Sequence, residues 1–222
     1  MASSSARRPV APGDQQERRA RSRDDADMRS HRDAIFALAR ASEVHDEDTG
    51  AHLLRIRLIV EQVACRMGFA PDDAEALGYD AIVHDVGKLR VPAEVLKKAE
   101  AFTDNERALM QQHTVRGERL LSQRPSMHRA AEIARSHHEF WDGSGYPDGL
   151  KGEAIPLAAR ITAAADVLDA LIATRCYKQS WTYEDALREV IGLSGNKLDP
   201  RVVQAITQAD ADGALRPIFR LA

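Results

Sequence analysis

Ile161-Thr-Ala-Ala-Ala-Asp166-Val-Leu-Asp169-Ala-Leu-Ile-Ala173 reads as a helix buried on almost every side. Alanine, leucine and isoleucine favour a helix, and no Gly or Pro interrupts them. A helix that is apolar all round belongs in a core. Yet Asp166 and Asp169 stand three apart, on one face. Two carboxylates in such a place are costly unless basic side chains meet them in buried salt bridges or a metal ion does.

Working outward, the helical period persists. Ile35, Leu38, Ala39 and Ser42 form one stripe behind a Ser30 cap. Ile56, Ile59, Val60, Val63 and Met67 form a second, closed by Gly68. A third helix is expected from Asp72, with Glu75 completing a capping box, through Leu77, Ala81 and Ile82. A fourth is expected from Thr103, boxed by Glu106, carrying Met110, His113, Gly117 and Leu120 on one face. Further helices fit 127–138, 156–173, 183–192 (opened by Thr182 and Asp185) and 200–208. No region alternates as a strand does, and Gly and Pro cluster between Trp141 and Pro156. The expected fold is all-α: a single multi-helix domain at 29–222 with one long Gly/Pro-rich loop. Residues 1–28 alternate arginines with acids and almost lack large apolar side chains, so they read as a disordered charged leader.

The chain has 222 residues, 44% hydrophobic and 29% charged, with a net charge of −3. That is enough for a core without disulfides and too acidic for a protein that coats nucleic acid. No apolar run approaches the roughly 20 residues of a membrane span, and no secretory pattern opens the chain. Cys65 and Cys176 stand far apart, which excludes a disulfide framework and a thiolate zinc site. A cytoplasmic location is the natural expectation.

Eight histidines remain to be explained. His84-Asp85 lies in the apolar turn Asp80-Ala-Ile-Val-His-Asp-Val-Gly-Lys88, and a buried carboxylate calls for a strong partner. His137-His138-Glu139 comes just before the Gly-rich loop, where a helix end allows neighbouring rings to converge. Asp48 and His52 stand four apart, and His113 shares its helix face with Met110. The candidate metal ligands are therefore Asp48, His52, His84, Asp85, His113, His137, His138 and Asp166. These are imidazoles and carboxylates without a thiolate, a set that suits iron, manganese or another octahedral ion. Eight ligands exceed the needs of one ion. Two close ions point to phosphoryl transfer, with a metal-held hydroxide as nucleophile.

These motifs, with Trp141-Asp-Gly-Ser-Gly-Tyr-Pro-Asp-Gly-Leu-Lys-Gly152 and Ile155-Pro156, resemble the HD-GYP domain, a subgroup of the HD metal-dependent phosphohydrolases. The likeness covers roughly residues 30–208. It implies hydrolysis of cyclic di-GMP to the linear dinucleotide and onward to GMP, at two or three iron or manganese ions. It further implies that Asp85 bridges two metals, that Lys88 contacts the scissile phosphate, and that Tyr146 lines the nucleotide pocket. Arg175 and Lys178 match positions that hold substrate phosphates, and Asp169, grouped with the substrate-binding residues, orients a ligand or a basic side chain from behind. Asp48 stands where some relatives have a Glu that reaches a third metal. Other cyclic dinucleotides such as cyclic GMP-AMP remain open as substrates. So does a non-catalytic role in which an exposed GYP loop docks on diguanylate cyclase domains. Neither a membrane nor a nucleic-acid polymer is expected as partner.

Overall fold

Helix follows helix wherever the apolar period of three to four residues runs, and short 3-10 turns fill the places where it is too brief to read. The computed structural model describes residues 32–42, 49–98, 100–173 and 181–220. The leader, Asp48, Arg175 and Lys178 lie outside the described residues. Residues Ile35–Ala222 form one compact unit, and Met1–Ala34 form another, of which 32–34 are described.

The helices are α1 (32–42), α2 (Thr49–Arg66), α3 (Pro71–Ala81), α4 (Ala93–Leu96), α5 (Asp104–Gln111), α6 (His113–Leu121), α7 (His128–Ser136), α8 (Leu157–Ile172), α9 (Tyr183–Gly192) and α10 (Pro200–Ala211). Turns of 3-10 helix run over Val86–Arg90, Pro125–Met127, Gly152–Ala154 and Arg216–Arg220. Among the described residues there is no β-strand; Ser194 and Leu198 form an isolated bridge. The all-α expectation therefore holds for the described residues.

The larger apolar cluster joins the stripes of α2, α3, α8, α9 and α10. Ile56, Ile59, Val60 and Val63 of α2 are wholly buried there, each stabilising the fold by about 1.5–3 kcal/mol. A smaller cluster gathers Ile35, Ala39, Leu53, Ile82, Val86, Leu121 and Ala134.

Local chemistry sets the helix ends, with three departures from expectation. The Asp72–Glu75 capping box does not start α3. Ala70 is the N-cap with no side-chain bond, and Pro71 occupies the first turn, where its fixed φ suits the helix. The Thr103–Glu106 box does form: Thr103 Oγ1 accepts from the Glu106 amide at 3.3 Å, and Glu106 Oε2 accepts from the Thr103 amide at 2.8 Å. The helix it starts, however, ends at Gln111, and a new one begins at His113. After that break Leu121 points into the core while Leu120 is exposed. Third, α8 is not buried all round. Ile161, Ala164, Ala165 and Leu168 are wholly enclosed, but Ala163, Asp166, Val167 and Ala170 are half-buried. That partly open strip is where Asp166 lies.

Candidate metal centre

His84 and Asp85 sit in the turn between α3 and the Val86–Arg90 3-10 helix. That turn lies hard against the start of α6. A Cβ on Gly87 would fall 1.8 Å from the His113 carbonyl oxygen and 2.6 Å from the Gly117 amide nitrogen. Only glycine permits this approach, and the approach carries Asp85 to His113.

Two groups of side chains result. His52 of α2, His84 and Asp166 of α8 offer ligand atoms all within 4.8 Å of one another. Asp85, His113, His137 and His138 offer a second set within the same limit. Asp85 touches both. Its Oδ2 is 3.4 Å from His84 Nε2, while its Oδ1 is 3.2 Å from His113 Nε2 and 3.7 Å from His137 Nε2. Asp166 Oδ1 is 4.0 Å from His84 Nε2.

Backbone carbonyls fix three of the rings. His84 Nδ1 lies 2.8 Å from the Ala81 oxygen and His113 Nδ1 2.7 Å from the Met110 oxygen. His137 Nδ1 is shared between the Ile133 and Ala134 oxygens, 3.1 Å each. A carbonyl only accepts, so each Nδ1 holds the proton and each Nε2 presents a lone pair. His113 and His137 thus bring two lone pairs to 3.4 Å. Beside them, Asp85 Oδ1 is buried and accepts no hydrogen bond among the described residues. Acceptors converging without a donor are mutually repulsive, and a cation among them removes the conflict. The donor set therefore fits a metal ion.

The electrostatics keep these groups in ligating form. Burial first, then neighbouring His137, pushes His113 down to about 4 despite the pull of Asp85. Burial and His137 push His138 down as well. Burial would raise Asp85, but the charge of Lys88, then the neighbouring His84 and His137 rings, outweigh it and hold the carboxyl well below its usual range. Lys88 Nζ donates to Asp85 Oδ2, with part of its side chain still open to solvent.

His52 is held differently. Its Nδ1 is 2.6 Å from Asp169 Oδ2, and Arg55 Nε donates to Asp169 Oδ1 at 2.5 Å. A second Arg55 nitrogen reaches Oδ2 at 3.2 Å. Burial opposes ionisation of Asp169, yet the bonds from His52 and Arg55 hold its pKa below the ordinary value. Asp169 has no exposed surface. It meets a candidate ligand, His52, and a basic side chain, Arg55, from behind, with no surface open to a substrate.

The Gly-rich loop is anchored at several points, with Ser144, Asp148, Gly149 and Lys151 exposed. His137 and His138 lie just past the end of α7, two residues earlier than the expected helix end. Buried Glu139 accepts from the amides of Asp148 at 2.7 Å and Leu150 at 3.0 Å. Arg135 holds Asp148 at 2.7 and 2.8 Å and Glu118 at 2.5 Å. A Cβ on Gly145 would fall 2.3 Å from the Phe140 nitrogen, so the loop folds directly onto the His-His-Glu backbone. The Tyr146 ring stacks on His138, centroids 4.8 Å apart, and burial raises its hydroxyl pKa above the ordinary value. At the rear, the Trp141 and Asp142 amides donate to the Lys197 and Asn196 carbonyls, at 3.0 and 2.8 Å. The sequence had not assigned Arg55, Arg135 or Glu139. Arg55 did carry a signal, standing three residues after His52 and next to Ile56 of the buried stripe.

The HD domain family profile matches residues 29–202. The chain is 42% identical over 182 residues to the cyclic di-GMP phosphodiesterase response regulator RpfG of Xanthomonas campestris, covering 81% of this chain and 48% of that protein. It is 40% identical over 179 residues to 3'3'-cGAMP-specific phosphodiesterase 2 of Vibrio cholerae, covering 80% and 34%. It is 39% identical over 173 residues to a cyclic di-GMP phosphodiesterase of Thermotoga maritima, covering 77% and 47%. The matches thus span about a third to a half of these relatives' lengths. Among solved structures, a cyclic GMP-AMP phosphodiesterase of V. cholerae superposes with TM-score 0.64 at 21% identity, over 84% of this chain and 50% of that one. An HD-GYP-type protein of Bdellovibrio bacteriovorus gives 0.58 at 19%, over 81% and 62%. At those identities the two structures speak for the fold alone. With its His-Asp turn, His-His-Glu element and Gly-Tyr-Pro loop, the chain belongs to the HD domain family, in its HD-GYP branch.

Proposed function

We propose that residues 29–222 form a metal-dependent phosphodiesterase domain acting on cyclic dinucleotides, with cyclic di-GMP as first substrate. The observation that carries this reading is the carboxylate of Asp85 set between two groups of metal-type ligands, with Lys88 against it. His52, His84 and Asp166 would hold one ion, and His113, His137 and His138 a second, with Asp85 shared. Iron or manganese suits these donors. When bound, such ions supply an activated water near neutral pH and offset the charge of an in-line displacement. Lys88 is close enough to its carboxylate partner to turn a positive charge toward a phosphate oxygen. Tyr146 offers a ring and a protonated hydroxyl beside His138 of the second ligand group. Asp48, Arg175 and Lys178 are proposed as further contacts, for a third ion and for substrate phosphates respectively. The names of relatives at similar identity cover both cyclic di-GMP and cyclic GMP-AMP, and this supports the substrate class more strongly than either member.

The test is hydrolysis of both nucleotides by the purified chain, loaded anaerobically with Fe(II) or Mn(II). Products are separated by chromatography, and Asp85→Ala is run alongside. Cyclic di-GMP opening to the linear dinucleotide and then GMP, abolished in the variant, is the expected result. A metal-loaded chain that leaves both nucleotides intact overturns the reading and favours an interaction role for the loop.

A further inference from the structure

A surface groove of about 630 Å³, lined by none of the candidate ligands, is formed by Gly87, Arg90, Arg116, Arg119, Leu120 and Gln123. It runs along the seam between the Val86–Arg90 turn and α6. Its lining residues include three arginines and no acid.

The missing acids matter because most buried or ordered arginines here are matched. Arg129 meets Asp80, Arg160 meets Asp199 and Arg66 meets Asp212. Among the described residues, none of the three groove arginines forms an ion pair. The acid nearest in sequence, Glu118, is drawn to Arg135 at 2.5 Å. Arg116 is nonetheless ordered: it donates to the Arg90 carbonyl and, at 2.7 Å, to Gln112 Oε1. Gln123 is ordered too, donating to the Arg119 carbonyl at 3.1 Å. All three of these contacts are to neutral oxygens, so the positive charge is uncompensated in a chain whose overall charge is −3. Guanidinium forks match phosphate oxygens in pairs. The volume is that of a small-molecule site, and the half-exposed side chain of Leu120 adds an apolar wall.

We infer that this groove binds the phosphate of a nucleotide-sized molecule, as a site separate from the metal centre. It goes beyond the proposed hydrolysis and does not depend on it. Gly87 is common ground: it lines the groove, and it lies between Asp85 and Lys88 in the chain.

The test is calorimetric titration of adenosine and guanosine 5′-monophosphate into the full chain, with chelator present. Four proteins are compared: the unaltered chain, Arg119→Gln, Arg116→Gln combined with Arg119→Gln, and Asp85→Ala. Circular dichroism checks the fold of each. Arg119 is exposed, so its single variant keeps the test valid if the double variant unfolds. Binding that weakens about tenfold per guanidinium removed and survives Asp85→Ala is the expected result. Binding lost in Asp85→Ala and unmoved by the arginine changes overturns the inference, because the ligand then sits at the metal centre. No binding at millimolar nucleotide overturns it as well. So does capture of an oligoglutamate peptide in place of nucleotide, which would make the groove a protein-docking surface.

Discussion

The two ligand groups are built from similar side chains but held by different means. In the group of His113, His137 and His138, two of the rings hang from backbone carbonyls of α7 and of the residues before α6. In the group of His52, His84 and Asp166, the His52 ring leans on a buried carboxylate that a buried arginine clamps in turn. A carbonyl comes with the helix and fixes orientation alone. A carboxylate also makes the ring a stronger donor, but it obliges the core to accommodate a charged pair. Backbone carbonyls thus set His113 and His137 in the first group and His84 in the second, while His52 alone depends on the buried Asp169–Arg55 pair.

Asp85→Ala cuts what the groups share. Turnover is expected to fall by at least about a thousandfold, and elemental analysis is expected to find both ions depleted. If one ion remains at full occupancy, the groups are more independent than their geometry suggests. Asp169→Asn strikes the clamped group alone. It leaves Arg55 buried against a neutral amide, and a stability loss of about 3–5 kcal/mol is expected in urea melts. Affinity for the ion at His52 should drop about 10–100-fold while the other ion stays. Arg55→Met with Asp169→Leu should recover much of the stability and none of the affinity, which separates folding from orientation.

Glu139→Gln acts on the other side. A single amide oxygen replaces two carboxylate oxygens serving two backbone amides, so a loss of about 1–3 kcal/mol is expected. Faster amide exchange should appear at Asp148 and Leu150, and little change at His52. The smallest effect belongs to Glu106, a member of neither group. A hydrogen bond from Lys98, then those from Thr103, lower its pKa from 4.5 to about 2. The box therefore contributes fully above pH 4.5 and fades as pH falls toward 2. Glu106→Gln should flatten that acid limb in thermal melts and leave metal binding unchanged.

The contrast also explains what the sequence could reveal. Helical periods mark α2, α8, α9 and α10 well, because each places an unbroken apolar stripe in the larger core. The break at Gln112 was hidden, since the fourth stripe continues in composition while the backbone turns. Short elements such as Ala93–Leu96 are less than two turns and carry no period. The candidate ligands were readable because His and Asp are conspicuous on apolar faces. Their supports were not. Backbone carbonyls leave no mark in a sequence, and the place of Arg55 beside the buried stripe does not name its partner, Asp169, 114 positions away. The two acids of α8 also divide the alternatives their spacing had left open. Asp169 lies in a buried salt bridge, and Asp166 faces the ligand group.

The pairing of the Trp141 and Asp142 amides with the carbonyls of Lys197 and Asn196 has a bearing on engineering. The turn between α9 and α10 is exposed at Gly195 and Asn196, and by appearance it is a place to splice in a tag or open a permuted chain. It is instead the rear wall of the Gly-rich loop. An inserted residue there would shift the anchor of a loop whose far side rests on His138, so a reporter fused at that turn would read out the chemistry it was meant to leave alone.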